Sequence, residues 1–318
     1  MSHIDVLSVT KLSPLLEPQL RAVLNLHDRL HETDPAAFAK LAPQIRAIAA
    51  SGESKVPASL IAQLPALEII SVFGVGYDGV DVAAAKARGV MVTHTPQVLN
   101  DDVADLAIGL MLAAARQLPA ADRYVKEGQW PNGPMPLSRK VSGARLGIVG
   151  MGRIGQAIAQ RALAFNMSVA YTARSAKNDI PHAYYPNATA LAAASDYLVV
   201  ITPGGEGTRK LINAEVLQAL GTKGILVNVA RGSVVDEAAL IAALQNDVIG
   251  GAGLDVFEAE PHVPEALRAL PHVVLAPHIG SATRQTRQAM ADLAFNNLKA
   301  HFEGHAVHTP VPECAHKG

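Results

Sequence analysis

The sequence predicts an α/β protein made of two doubly wound parallel-sheet domains, and three observations predict it. Short apolar, β-rich runs alternate with helix-like runs along most of the chain, the pattern of parallel strands joined by crossover helices. Gly150, Gly152 and Gly155 stand in a G-x-G-x-x-G pattern between an apolar run and an alanine-rich one. The chain has 318 residues, 49% hydrophobic and only 17% charged, enough for about two domains at ~150 residues each and far from the composition of a disordered chain.

The first alternating block opens with a strand-like run at 4–9. Helix-like stretches follow near 17–22 and 35–41, with strand-like runs at 45–49 and 67–73. A glycine-rich turn then leads into a helix from Asp81 and a strand at 90–93. Residues 100–117 read as one long helix. Asn100, Asp101 and Asp102 put acceptors and negative charge at its start and Arg116 a cation at its end, as caps and the helix dipole favour. The stretch 127–143 holds Gly, Pro and Ser and reads as an irregular excursion. A second alternating block runs from Arg145 to Pro277, with strands at 146–149, 169–172, 197–201 and 225–229. A last helix covers 282–302.

Composition excludes several classes of function. A net charge of −1 offers no field for nucleic acid or an anionic membrane, and 4% aromatics give no platform for stacking bases. The single cysteine, Cys314, rules out a disulfide within the chain. The start, Met1-Ser2-His3-Ile4-Asp5, has no basic segment leading into an apolar one, and no apolar run approaches the ~18 residues of a membrane span. The expectation is a cytoplasmic protein. His301, His305, His308, Cys314 and His316 crowd the tail, but their irregular spacing predicts no metal site. His94 and Asp196 flank strands and read as an ordinary crossover residue and a turn residue.

The glycine pattern carries chemistry through its context. Residues 146–149 form an apolar strand run and 154–164 an alanine-rich helix. Gly150 permits the tight turn, Gly152 lets backbone approach a pyrophosphate, and Gly155 allows close helix–strand packing. The amides of Arg153 and Ile154 would meet phosphate at the helix start. A dinucleotide site that prefers NAD needs an acid after the second strand to bind the ribose 2′-hydroxyl. Here Ala173, Arg174, Ser175 and Lys177 follow that strand, and no carboxylate appears before Asp179. Arg174 can pair with a 2′-phosphate through its planar fork, so NADPH is expected in preference to NADH. The bland reading of Arg174 and Lys177 is a solvated loop.

Three further segments each follow a predicted strand, where open α/β sheets bind ligands. They are VNVARGSVVDE with Arg231, GLDVFEAEP with Asp255, Glu258 and Glu260, and APHIGSAT with His278. Reduction of a keto acid requires that its carboxylate be held, its carbonyl polarised and the new alkoxide protonated. Arg231 suits the first two tasks, being always charged and bidentate. His278 suits the third, since histidine titrates near neutral pH, and Glu260 would fix its tautomer. Each residue alone has a structural explanation; the ordered set behind a dinucleotide loop is what points to catalysis.

With SVFGVGYDGVD at 71–81 and PHIGSATRQTRQAM near the end, these motifs make the chain resemble the D-isomer-specific 2-hydroxyacid dehydrogenases over about two thirds of its length. The resemblance implies a catalytic triad of Arg231, Glu260 and His278. It implies that Asp255 holds the nicotinamide carboxamide, and that backbone amides of Val75 and Gly76 take the substrate carboxylate. Further cofactor contacts are implied at Thr202, Pro203, Thr208, Val229, Ala230, His278 and Gly280. The family architecture is a Rossmann cofactor domain, here 100–283, inserted in a flavodoxin-like substrate domain, here 1–99 and 284–318, with the active site between them and a homodimer built on the cofactor domain. D-stereochemistry of the product rests on the resemblance alone.

The run YTARS at 171–175 is similar to that of NADPH-preferring glyoxylate/hydroxypyruvate reductases, which favour very small keto acids. In these, the excursion that here holds Trp130, Met135 and Leu137 can approach a neighbouring subunit's active site; a packed loop is the alternative. ITPGGEGTRKLIN departs from the family pattern by placing Gly204 and Gly205 where a bulkier loop is usual. Two alternatives remain open at this stage. One is a dehydrogenase of the same family for a bulkier 2-keto acid. The other is a non-catalytic, cofactor-sensing binding scaffold, since some relatives of this fold keep the triad in that role.

Overall fold

The computed structural model describes residues 4–315; Met1, Ser2, His3 and His316, used in the sequence readings above, lie outside them. The chain divides into two compact units. One is formed by the described residues up to Leu99 together with those from Thr283 onward, the other by Asn100–Ala282.

The first unit is a five-stranded parallel sheet of β1 (Asp5–Ser8), β2 (Asn25–Asp28), β3 (Ile45–Ser51), β4 (Ile69–Phe73) and β5 (Met91–Thr93), in the order β2-β1-β3-β4-β5. The inner strand β4 is buried at every residue, which is why it reads as an apolar run interrupted only by Ser71. Ile70 and Val72 join a cluster with Phe38, Leu60 and Leu64 on one side. Ser71 points the other way, where its hydroxyl donates to the carbonyl of Ala294 in the returning helix Arg284–Phe302. The segment after that helix is pinned to β5: the Val311 amide donates to Val92 O, and buried Asn297 accepts from the amides of His308 and Thr309.

The strand β2 is absent from the sequence reading, because only Leu26 among its four residues is apolar. Polar side chains hold this edge strand: Ser8 Oγ donates to Asp28 at 2.8 Å, and His27 Nε2 lies 2.8 Å from Asp5.

The second unit is a seven-stranded parallel sheet. Its strands are β6 (Arg145–Val149), β7 (Ser168–Thr172), β8 (Ala183–Tyr184), β9 (Tyr197–Val200), β10 (Ile225–Asn228), β11 (Gly251–Leu254) and β12 (Val273–Leu275), ordered β12-β11-β10-β9-β6-β7-β8. The order reverses between β6 and β9, the switch point at which such sheets open a crevice. One face packs Leu198, Val200, Leu226 and Leu254 against Leu191, Leu217, Leu240 and Leu244. The helix Asn100–Ala115 lies on the other face, so close that a Cβ at Gly253 would stand 3.0 Å from the Leu110 side chain. Side chains of Asn187, Asn213 and Asp236 accept amides at their own helix starts, as N-caps do, and Thr283 caps the returning helix of the first unit in the same way.

The helix expected over 100–117 is present as Asn100–Ala115, and a second, unexpected helix follows it. The first ends at Ala115, Gln117 takes a left-handed φ of 52°, and Leu118–Lys126 restarts with Pro119 in its first turn. Among the described residues no single helix is long and apolar enough to cross a membrane. These two pass a length and composition test only as a pair bent by 59°, and the first is buried against the sheet.

Candidate active site

The C-terminal ends of β6, β7, β9, β10, β11 and β12 carry every site residue that the sequence places in the second unit. After β6 the chain turns at Gly150, with φ of 106°, where a Cβ would stand 2.8 Å from Ile201 O. Gly155 presses on the same turn: a Cβ there would lie 2.2 Å from Gly150 O. Gly152 opens the helix Arg153–Leu163 with no side chain capping its amides, and the space beside its Cα is empty. The result is a backbone cradle of free N–H groups at a helix start, which fits a dinucleotide pyrophosphate.

Beyond β7, Ala173 is half-buried while Arg174 and Ser175 are exposed, so both can meet a ligand. Lys177 is no loose loop cation. Its amide donates to the hydroxyl of Tyr171, and its Nζ donates to Met151 O at 2.7 Å, within the glycine turn. The sequence offered only its charge as a signal for this. After β9, Thr202 and Pro203 begin a loop that Thr208 closes, its hydroxyl donating to Pro203 O at 2.7 Å.

Arg231 is presented by a turn that Asn228 builds. This buried residue ends β10, accepts the Ala230 amide through Oδ1 and donates from Nδ2 to Arg231 O. Val229 and Ala230 are buried behind it. Gly232 then meets the segment after β11 at backbone contact: a Cβ there would lie 2.0 Å from Phe257 C. That approach brings the arginine turn beside the acidic one. A polar residue ending an apolar run was the available signal for Asn228, and the sequence reading did not use it.

Asp255 is 2% exposed and clamps the histidine segment by three bonds. Its carbonyl accepts the His278 amide at 2.9 Å, Oδ1 accepts that of Ile279 at 2.7 Å, and Oδ2 that of Gly280 at 2.8 Å. Burial pushes its carboxyl pKa up, partly offset by these two side-chain hydrogen bonds. Held this way, His278 adopts φ of 52°, a left-handed conformation that a non-glycine residue takes at a cost of about 1–3 kcal/mol. Glu260 completes the arrangement. Its Oε1 accepts the Phe257 amide at 2.9 Å, and its Oε2 lies 2.7 Å from His278 Nδ1. A carboxylate can only accept, so Nδ1 carries hydrogen, and Nε2 is the ring nitrogen whose proton can be exchanged.

Val75 and Gly76 belong to the first unit, in the half-buried turn after β4. A Cβ at Gly74 would stand 2.9 Å from Gly52 Cα, so the turn rests on the loop after β3. Gly74 O accepts the Thr95 amide, and Val75 O lies 2.9 Å from His94 Nδ1. His94 thus has a specific partner that its reading as a crossover residue did not foresee. Of the tail residues, His301 is bound to Glu68 at 3.1 Å and Cys314 is half-buried.

Comparison with known proteins follows the same lines. A sequence model of the D-isomer specific 2-hydroxyacid dehydrogenase, NAD binding domain, matches residues 108–280. The chain is 48% identical to glyoxylate/hydroxypyruvate reductase A HPR2 of Arabidopsis thaliana, over 98% of this chain and all of that protein. It is also 48% identical to hydroxyphenylpyruvate reductase of Plectranthus scutellarioides, with the same coverage. Among solved structures it superposes with a TM-score of 0.92 on an NADPH-dependent glyoxylate/hydroxypyruvate reductase from Sinorhizobium meliloti in complex with NADP and malonate. The two are 47% identical over 98% of this chain and 97% of that one.

Proposed function

The chain belongs to the D-isomer specific 2-hydroxyacid dehydrogenase family, and from that premise we propose that it reduces a small 2-keto acid, glyoxylate or hydroxypyruvate, to the D-2-hydroxy acid with NADPH. The observation that carries the reading is the Glu260–His278 pair, 2.7 Å apart, at the same sheet edge as an open glycine cradle.

The second unit is the cofactor domain and the first the substrate domain. Gly150, Gly152, Arg153, Ile154 and Gly155 hold the pyrophosphate, and Arg174 and Ser175, with Ala173, hold the 2′-phosphate. Thr202, Pro203, Thr208, Val229, Ala230 and Gly280 border the rest, with Asp255 toward the carboxamide. When bound, the reduced nicotinamide supplies the hydride that the substrate carbon receives. Arg231 holds the substrate carboxylate and draws electron density from the carbonyl, and amides of Val75 and Gly76 take the same carboxylate. His278 Nε2 gives its proton to the carbonyl oxygen, so the product gains one hydride and one proton. Glu260 keeps the imidazole in the right tautomer and orientation. The two relatives at equal identity favour one other substrate reading, a bulkier aromatic keto acid.

The proposed compartment is the cytoplasm. The proposed assembly is a homodimer, supported by Leu118, Val125, Trp130 and Leu137, which are 52%, 55%, 66% and 100% exposed within one segment. With that segment buried by a second copy, Trp130, Met135 and Leu137 would lie near the partner's site; sedimentation of the purified protein tests the dimer.

The deciding assay follows loss of reduced-nicotinamide absorbance with NADPH or NADH, each paired with glyoxylate, hydroxypyruvate, pyruvate and phenylpyruvate. Fast turnover with NADPH and the two small polar acids is the expected result. A preference for phenylpyruvate would keep the mechanism and change the substrate. Tight cofactor binding without turnover on any acid would end the enzymatic reading.

A further inference from the structure

We propose that His94 is a positioning residue for the substrate: its imidazole holds the Val75 carbonyl and thereby aims the Gly76 amide at the substrate carboxylate. This rests on the reading that the Val75 and Gly76 amides bind that carboxylate.

The argument starts from the peptide bond. A carbonyl can only accept, so His94 Nδ1, 2.9 Å from Val75 O, is the donor. The Val75 carbonyl and the Gly76 N–H belong to one planar peptide unit and, in the trans form, point to opposite sides. Fixing the oxygen therefore fixes the direction of the N–H. If this unit rotates, it presents a carbonyl oxygen in place of an amide, and an anion that was attracted is repelled. A glycine on one side of the unit makes that rotation easy, since glycine resists few backbone conformations. The anchor on the oxygen is what opposes it.

His94 is itself well fixed. Its amide donates to Thr309 O at 3.1 Å, and its carbonyl accepts the Thr309 hydroxyl at 2.6 Å. Thr309 is held in turn by Asn297, which is fully buried in the returning helix. The imidazole stands edge-to-face on Tyr77, with ring centroids 5.2 Å apart and planes at 88°. The Tyr77 hydroxyl donates to Glu313 at 3.1 Å. Burial, with the nearby Glu313 charge, pushes its pKa up to about 12, so this donor persists at any working pH. The carboxyl-terminal segment thus reaches the carboxylate turn through two side chains, Tyr77 and His94, and His94 is the one that bonds the Val75 carbonyl.

The test compares His94→Ala with His94→Asn, whose side-chain amide can put a donor close to the place of Nδ1. Glyoxylate and glyoxylamide, which lacks the negative charge, serve as substrates. For His94→Ala, KM for glyoxylate is expected to rise about tenfold, the worth of one aimed hydrogen bond to a charged group, with kcat and NADPH affinity unchanged. His94→Asn is expected to recover most of the loss. The wild-type preference for glyoxylate over glyoxylamide is expected to shrink in His94→Ala, because the charge is what the amide recognises. If the wild type does not discriminate between the two substrates, the carboxylate reading falls and this inference with it. If it does, but His94→Ala discriminates equally well, the role of His94 alone is refuted. Equal impairment of the Ala and Asn variants, or loss of NADPH affinity in His94→Ala, would reduce His94 to a structural residue and overturn the proposal.

Discussion

Replacement of Glu260 by glutamine tests the catalytic pair with almost no change of shape. In the native site Oε1 accepts the Phe257 amide at 2.9 Å and Oε2 faces His278 Nδ1 at 2.7 Å. Glutamine has one acceptor oxygen and one amino group, so one of these two donors must face another donor. If the Phe257 bond is kept, the amino group points at Nδ1 and favours the tautomer with hydrogen on Nε2 only. If it is lost, a partly buried amide goes unpaired. Either way the pairing of a carboxylate with the imidazolium disappears, and at best a neutral acceptor remains. Both side chains are less than a third exposed, at 22% and 30%, so solvent screens the loss only partly. A hydrogen bond to a charged group is worth about 1.5–3 kcal/mol, which predicts an approximately 10- to 150-fold fall in kcat/KM. The assay is steady-state NADPH oxidation with glyoxylate, beside a direct measurement of NADPH affinity, which should not move. Wild-type kcat/KM in Glu260→Gln would refute the pairing as a working part of the site. A parallel loss of NADPH affinity would show that the substitution damages the domain instead.

Three further outcomes follow from the same structure. Arg174→Asp, which puts a carboxylate where an exposed guanidinium now follows β7, is expected to raise KM for NADPH at least about tenfold while leaving NADH use nearly intact; equal loss with both cofactors would remove the 2′-phosphate argument. His278→Ala is expected to lower kcat by about 100- to 10,000-fold with NADPH still bound, as loss of a general acid does, and retention of wild-type turnover would end its assignment as proton donor. The hydrogen bond from Arg145, opposed by partial burial, holds the Asp196 carboxyl below its ordinary pKa. Because the folded value is depressed, its stabilisation is present above the unfolded value near ~3.9 and is lost as pH falls through the folded one. The pair is 56% and 40% exposed, so solvent screening limits the effect to at most about 1 kcal/mol. Thermal melts of Asp196→Asn should therefore depart from wild type at neutral pH and converge with it in acid.

The sequence determined most of what depends on local pattern. Apolar runs announce buried strands: β4, β9 and β10 fall inside runs identified that way, and β6 and β7 begin one exposed residue before theirs. The glycine spacing announces the turn after β6, because sterics at Gly150 and Gly155 admit no side chain. Arg231, Glu260 and His278 were legible as candidates because each follows a strand in a recognisable motif. Period and propensity also set the limits of that reading. The strand β2 has one apolar residue and exists through bonds to β1. The helix Leu118–Lys126 lies beyond the one expected at 100–117, and the left-handed Gln117 between the two is visible only in the backbone.

What tertiary structure alone decided are contacts between residues far apart in the chain. Lys177 meets Met151 across 26 positions, His94 meets Val75 across 19, and Asp255 reaches Ile279 across 24. No short window of sequence encodes such pairs, because a whole crossover connection separates the two strands in the chain while the sheet sets their ends side by side. The chemistry of each residue can be read from its letter. Which atom it holds, and which peptide it aims, depends on sheet order and on the packing that fixes each loop at a strand's end.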